Sequence, residues 1–111
     1  MLYQIYFYVP EDALDAVKKA MFDAGAGDLG EYQQCAWQIL GQGQFKPSKN
    51  AIPHIGQPDQ LTKLNEYRVE MVCKENRLKA ALSALIKAHP YQEVAYGALP
   101  IVTLDSFNKG S

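Results

Sequence analysis

The sequence is poor in the features that mark secreted, membrane and nucleic-acid-binding proteins. Its two cysteines, Cys35 and Cys73, have no short spacing between them, which favours reduced thiols in a cytosol over a disulfide framework. The uncharged stretch 1–10 is too short to cross a bilayer and lacks the basic start and cleavage site of a signal peptide. The formal net charge is −1, with no basic run longer than Lys18-Lys19. We therefore expect a cytoplasmic protein with neither nucleic acid nor membrane as a partner.

The length is sufficient for one domain and too short for two. The chain has 111 residues, of which 48% are hydrophobic, an ordinary globular composition. We predict a single domain over residues 1–104 and a flexible, polar C-terminal tail over 105–111.

An internal repeat predicts most of the secondary structure. Residues 3–26 align without a gap on residues 67–90, and both copies change from alternating to helical spacing of apolar residues at the same place. Each copy therefore predicts a strand followed by a helix. Asp12 and Asn76 are the predicted helix N-caps, and Gly25 and Pro90 the predicted helix ends. The strand and helix positions predicted to face the core are Tyr3, Ile5, Phe7, Val9, Leu14, Val17, Met21 and Ala24, and Tyr67, Val69, Met71, Cys73, Leu78, Ala81, Leu82 and Leu85.

A weaker strand signal follows each helix, over Gln33–Gln42 and Val94–Val102. Two strand–helix–strand units in tandem predict an α+β fold with ferredoxin-like βαββαβ order. Four antiparallel strands would carry both helices on one face, with the first and third strands central. Trp37 and Cys35 are predicted to face the core. The long β2–β3 loop, 43–63, exceeds what a simple connector needs.

The sheet face without helices is the predicted oligomer interface. Aromatic and charged side chains alternate there on the two central strands, and Tyr and Arg are enriched in interface cores. The alternative is an amphipathic face in contact with solvent. The residues proposed for this interface are Leu2, Tyr6, Tyr8, Arg68 and Glu70.

Three separated motifs resemble one protein family. The segments GQGQFKP (41–47), AIPHIG (51–56) and HPYQEVAY (89–96) resemble the inserted domain of YqfO-type proteins of the NIF-like family. The His-Pro-Tyr stretch is also similar to that of CutA proteins, which share a ferredoxin-like fold and form trimers. The PII signalling proteins are a more distant structural relative.

The resemblance implies a stand-alone version of that inserted, CutA/PII-like domain, with its fold and its tendency to trimerise. The two-metal site of the full-length family lies in domains that flank the insertion. This chain has neither flank, so we do not expect the family's hydrolase-like activity here. Gln92 departs from the family pattern, which often has an acid at this position.

Candidate binding residues cluster in two segments. His89 and Glu93 are candidate metal ligands, and His54 in the Pro-rich loop is a third. Tyr91 and Lys46 complete the candidate ligand-binding set. The alternative for His89 is structural, because a histidine suits a helix C-terminus and Pro90 ends the helix. The glycine-rich 41–44 segment lacks the Gly-Lys-Ser/Thr continuation of a phosphate loop.

Two functions remain open. The first is a homo-oligomeric, trimeric binding or assembly module without catalysis or cofactor, whose partner is itself or an unknown protein or small molecule. The second is a sensor of small ligands or divalent metals, in the PII and CutA manner. Because the 43–63 loop and the His89 turn belong to opposite edges of the predicted sheet, such a sensor site is expected only at a subunit junction. A self-contained enzyme ranks third.

Overall fold

The computed structural model describes residues 1–108 and has the predicted βαββαβ order. The sheet is antiparallel, with strand order β2-β3-β1-β4 and both long helices on one face, so the predicted fold class is confirmed. No helix between residues 1 and 108 is both long and apolar enough to cross a membrane. The elements are β1 (Leu2–Pro10), α1 (Glu11–Asp23), β2 (Trp37–Phe45), β3 (Thr62–Lys74), α2 (Glu75–Ala88), β4 (Tyr96–Ile101) and a short α3 (Asp105–Asn108).

The core lies between the helices and one face of the sheet. Alternate residues of β1 and β3 point into it, and the helices contribute residues spaced by three or four, as the repeat predicts. Leu82 is half-buried, whereas Leu85 is completely buried, so the buried stripe of α2 is centred on Leu85. The main buried side chains are Ile5, Phe7, Val9, Leu14, Val17, Met21, Val69, Met71, Cys73, Ala81 and Leu85.

The helix starts differ from the prediction. Each strand runs directly into its helix, so Asp12 and Asn76 lie inside the first turns rather than at the N-caps. Within the described chain the N-cap positions are held by Pro10 and Lys74, and neither makes a side-chain capping bond. The C-terminal end of α1 is as predicted. Gly25 has a φ of 108°, and the Ala26 N–H bonds back to the Met21 carbonyl, as in a Schellman motif.

The second strand begins later than predicted, at Trp37, and this corrects two expectations. Cys35 precedes the strand and is only half-buried, so it does not face the core from β2 as predicted. Trp37 is 58% exposed and is therefore not a core residue. The physical reason is register: Trp37 pairs with Glu70, which places its side chain on the face opposite the helices.

The β2–β3 pair extends beyond the rest of the sheet. β3 pairs with β1 only from Glu66 onward, so residues 62–65 of β3 pair with residues 42–45 of β2 alone. This two-stranded arm contributes to a molecule that measures 55 Å along its longest axis. At the other end, residues 105–108 of the predicted tail form one helical turn, and the remainder of that tail lies outside the described residues.

Candidate functional site at the open end of β1

One end of each of the four strands lies at the same end of the sheet. Because the strands are antiparallel, β1 and β2 finish there, while β3 and β4 start there. Residues 89–95, which link α2 to β4, therefore lie at the same end as the arm and its loop, 46–61. This end of the sheet brings the candidate residues of both segments together.

His89 is fixed by hydrogen bonds on both ring nitrogens. Its Nε2 lies 2.7 Å from the backbone oxygen of Tyr8, and its Nδ1 accepts from the Tyr91 N–H at 3.1 Å. Since Nδ1 is an acceptor, Nε2 carries the proton and donates to Tyr8. The residue is only 6% exposed, and this burial lowers the pKa of His89. The arrangement favours the structural role of His89, because a metal would have to displace one of these bonds.

Tyr91 is the centre of the site. Its phenol donates to the Glu66 carboxylate on β3 at 2.8 Å, and its ring lies 4.7 Å from that of His89. Burial, reinforced by the hydrogen bond and by the charge of Glu66, raises the pKa of the Tyr91 phenol. Tyr91 is therefore a neutral hydrogen-bond donor at physiological pH, held between two elements.

The β2–β3 loop reaches this turn within a single chain. The His54 and Tyr91 ring centroids are 6.4 Å apart, and the Ile52 N–H donates to the Gln92 side-chain oxygen at 2.9 Å. The expectation that these segments meet only across a subunit junction was therefore wrong. They belong to opposite edges of the sheet, but three strand spacings amount to only about 14 Å, and the long loop crosses that distance beyond the end of β1.

A cavity of about 520 Å³ lies between the arm, the loop and the turn. It has the size of an ordinary small-molecule site. Four of the five candidate ligand-binding residues line it, namely Lys46, His54, Tyr91 and Glu93. The fifth, His89, lies behind Tyr91 and supports it. The residues 43–45, 47, 48, 51, 53, 55, 92 and 95, together with Tyr8 and Glu66, complete the lining.

Sequence reasoning did not include Phe45, Glu66 and Gln92 in this set. Phe45 packs against Tyr91 with ring centroids 6.3 Å apart, and Glu66 lies close against Gly43, where a Cβ would collide with it. Phe45 and Gln92 both occur in the motifs that carry the family resemblance, which was the available signal. Nothing in the sequence alone placed Glu66 near Tyr91.

The predicted metal site stays a prediction. Among residues 1–108, no three His, Cys, Asp or Glu side chains are grouped so that they could hold a metal ion. His54 and Glu93 both line the cavity, but the ring of His89 is engaged elsewhere.

The open sheet face carries a connected set of polar and aromatic side chains. Arg68 lies 4.7 Å above the Tyr6 ring, donates to the Tyr8 hydroxyl at 2.6 Å and pairs with Glu70 at 3.1 Å. The hydrogen bond to Glu70 is the main cause that raises the pKa of Arg68. Leu2 lies on the same face, because it precedes Tyr6 by an even number of residues on β1 and alternate residues of a strand point to one side. All five predicted interface residues therefore share one face.

Three large apolar residues, Trp37, Ile39 and Leu99, extend this face outward. Each is paired with a residue of a central strand that points to the open side, so each lies on that side too. The pairs are Trp37–Glu70, Ile39–Arg68 and Leu99–Gln4. They are 58%, 52% and 55% exposed. Together with Leu2, Tyr6 and Tyr8 they form a surface that we call the open face. Exposed apolar side chains that share one face make it a candidate interaction surface.

Comparison with known proteins identifies relatives that are much longer than this chain. No protein-family model matches the chain. It is 42% identical over 100 residues to the GTP cyclohydrolase 1 type 2 homolog of Bacillus subtilis, and 41% identical over 95 residues to that of Mycobacterium leprae. These matches cover 90% and 86% of the chain but only 27% and 25% of the relatives.

Solved structures agree with these matches. A Bacillus cereus protein related to NIF3 superposes with a TM-score of 0.79 at 31% identity, over 92% of this chain and 26% of that one. CutA from Archaeoglobus fulgidus superposes with a TM-score of 0.68 at 14% identity, over 96% of this chain and 91% of its own, a likeness of fold alone. The predicted resemblance is thus confirmed: the chain is homologous to one segment, about a quarter of the length, of NIF3-related proteins, and this segment has the fold of CutA.

Proposed function

We propose that this domain is a homo-oligomeric assembly module that associates with copies of itself through the open face. The observation that carries the proposal is the set of exposed Trp37, Ile39 and Leu99 side chains beside the Tyr6–Tyr8–Arg68 cluster. A trimer is the expected assembly, because that is the subunit number implied by the resemblance to CutA.

The chemistry of the open face supports a second copy as its occupant. Aromatic residues and Arg are the types enriched where proteins associate. Arg68 and Glu70 already neutralise each other, so burying this face against another copy places no net charge in the interface. The outer backbone edges of β2 and β4 face away from the described sheet and offer further hydrogen-bonding groups to neighbours.

The test compares two charge-introducing variants by sedimentation velocity and native mass spectrometry. Ile39→Lys places an ammonium group on the open face, and we expect self-association to weaken by at least about tenfold. Leu40→Lys is the matched control, since Leu40 is the next residue, is 54% exposed and points to the opposite side of β2. A monomeric wild type, or equal effects of the two variants, would rule out assembly through this face.

The proposal includes no catalysis by this segment itself. The relatives' name refers to a cyclohydrolase, but the chain spans only about a quarter of them. We propose that this quarter contributes assembly and binding, while any chemistry belongs to the rest of those proteins. Incubation of purified protein with GTP, followed by chromatography of the nucleotide, should show no turnover. Formation of formate from GTP would contradict this part of the proposal.

A second candidate function is a small-ligand sensor. The specific observation that favours it is the 520 Å³ cavity, which brings Lys46, His54, Tyr91 and Glu93 together. Because Tyr8 lines the cavity and also belongs to the open face, an occupied cavity would act on a side chain that a neighbouring subunit contacts. Ligand binding and assembly would then influence each other by linkage.

A further inference from the structure

We propose that the cavity at the end of β1 binds an organic ammonium ion. The proposal rests on the second candidate function, because it names the class of ligand that the same cavity would take. Two independent properties of the walls support it, namely their aromatic faces and their negative charge.

Four aromatic side chains contribute to the walls of the cavity. Phe45 and His54 each approach the Tyr91 ring to within 6.3 and 6.4 Å, and their rings are tilted by 53° and 44° to it. Tyr8 lines the same space. These rings border the cavity, and the faces of aromatic rings attract alkylated ammonium groups.

The charged groups of the lining favour a cation over an anion. Two carboxylates, Glu66 and Glu93, face one ammonium group, that of Lys46. Glu66 accepts the hydrogen bond of the Tyr91 phenol through Oε2, and its other carboxylate oxygen lies beside Gly43, which also lines the cavity. The carboxylate of Asp12 adds negative potential at Tyr91 from the first turn of α1. An incoming anion would meet this potential, whereas an ammonium ion is attracted by it.

A cation already occupies a neighbouring aromatic surface of the same strand. The Arg68 guanidinium lies 4.7 Å from the Tyr6 ring centroid and 5.5 Å from that of Tyr8. Tyr8 thus has a cation on the open face and also lines the cavity. A bare metal ion fits the walls less well, because hydrocarbon and aromatic surfaces offer it no ligands and His89 is engaged.

The test is an NMR titration of the full chain with choline as the probe, at constant ionic strength. The matched uncharged probe is the alcohol in which a tert-butyl group replaces the trimethylammonium group of choline. We expect choline to shift the backbone amides of residues 91–93, and the alcohol to bind at least about tenfold more weakly, as loss of a cation–π contact predicts.

Two variants remove one negative charge each from the lining. Glu93→Gln changes an exposed side chain, so the fold should be unaffected, and Glu66→Gln changes the carboxylate that holds Tyr91. Each should weaken choline binding by about three- to tenfold. Glu31→Gln, an exposed carboxylate outside the cavity, is the control and should leave the affinity unchanged.

The possible outcomes separate this proposal from the functions on which it builds. Equal binding of choline and the alcohol, or no effect of either glutamate variant, would overturn the ammonium assignment while leaving a ligand cavity. No shift with either probe, together with no shift from divalent metals or nucleotides, would overturn both this proposal and the sensor function. The assembly proposal would still be decided by sedimentation alone.

Discussion

The imidazole of His89 donates a hydrogen bond to the backbone oxygen of Tyr8, 2.7 Å away, and so ties the end of α2 to the end of β1. Through Nδ1 the same ring holds the Tyr91 N–H, which positions Tyr91 over the cavity. The bond to Tyr91 requires the neutral imidazole, because protonation would turn Nδ1 from an acceptor into a donor that faces another N–H, whereas Nε2 can donate to Tyr8 in either state.

We expect stability to fall on acidification because of His89. Burial lowers the pKa of His89 in the folded chain, and His54 acts in the same direction, while the Tyr8 carbonyl and Glu66 oppose it. The unfolded chain therefore binds the proton first, near pH 6.5, so the stabilisation is complete above this pH. It is lost as pH falls through about 6.5 towards the lower folded value. Urea denaturation at fixed protein concentration between about pH 7.5 and 5.5 measures the loss.

The two histidines of the chain provide the control for this experiment. His89→Gln should be less stable than wild type at neutral pH and should lose most of the pH dependence in this range. His54→Ala removes an exposed imidazole that is only the smallest of the causes acting on the pKa of His89, so this variant should keep most of the wild-type dependence. The same pH dependence in wild type and His89→Gln would show that another group is responsible.

The buried stripe of α2 can be tested with three alanine substitutions. Leu85 is completely buried, so Leu85→Ala should reduce the free energy of unfolding by ~2–5 kcal/mol. Leu82→Ala should have a smaller effect, since Leu82 is half-buried. Ile86→Ala, at a residue 45% exposed, should change stability by less than about 1 kcal/mol. A reversed order of Leu85 and Ile86 would contradict the orientation of the helix.

The ring of Tyr6 requires glycine at position 97. A Cβ added to Gly97 would lie 2.7 Å from Cζ of Tyr6 and 2.8 Å from Cε1, so the ring would have to move away from β4. We expect Gly97→Ala to lower the free energy of unfolding by ~1–3 kcal/mol and to weaken self-association. Gly41→Ala is the control, because no atom outside residues 40–42 lies within 4 Å of the added carbon. Equal thermal midpoints for the two variants would argue against this packing.

The phenol of Tyr91 joins the α2–β4 turn to β3. Tyr91→Phe keeps the ring but removes the hydrogen bond to Glu66, and we expect a loss of about 1 kcal/mol in chemical denaturation. Tyr32→Phe, at a residue 74% exposed, should have no measurable effect. If Tyr91→Phe is as stable as wild type, water replaces the phenol at Glu66 without loss.

The repeat explains why much of the fold was predictable. Two copies of a strand-to-helix switch fix β1, α1, β3 and α2, since alternate and helical periods identify the buried side of each element. The alternation of Trp37 and Ile39 was equally clear, but alternation shows only which residues share a face. It does not show which face the helices cover, and β2 is an edge strand whose apolar side points away from them.

Several residues of the cavity could be predicted from the sequence, but their meeting within one chain could not. The motifs identified His54, Tyr91 and Glu93, but their meeting depends on where chain segments end in space. The strand order predicts that the two edges of the sheet are too far apart for one chain to join them. In the structure the loop passes beyond the end of β1, a nine-residue strand, and reaches the turn within one chain. Glu66 joined the site through the tertiary fold alone, because its partner Tyr91 is 25 residues away in the chain.

The central position of β1 determines how late in synthesis its two edges can be paired. β1 precedes both of its hydrogen-bonding neighbours, which begin at Thr62 and Tyr96, so neither edge of β1 can be paired until much of the domain has been translated. A nascent chain that stops before β4 leaves one edge of an apolar strand open as a template for other chains. Ribosome-attached intermediates of this domain should therefore be the forms that most need a chaperone.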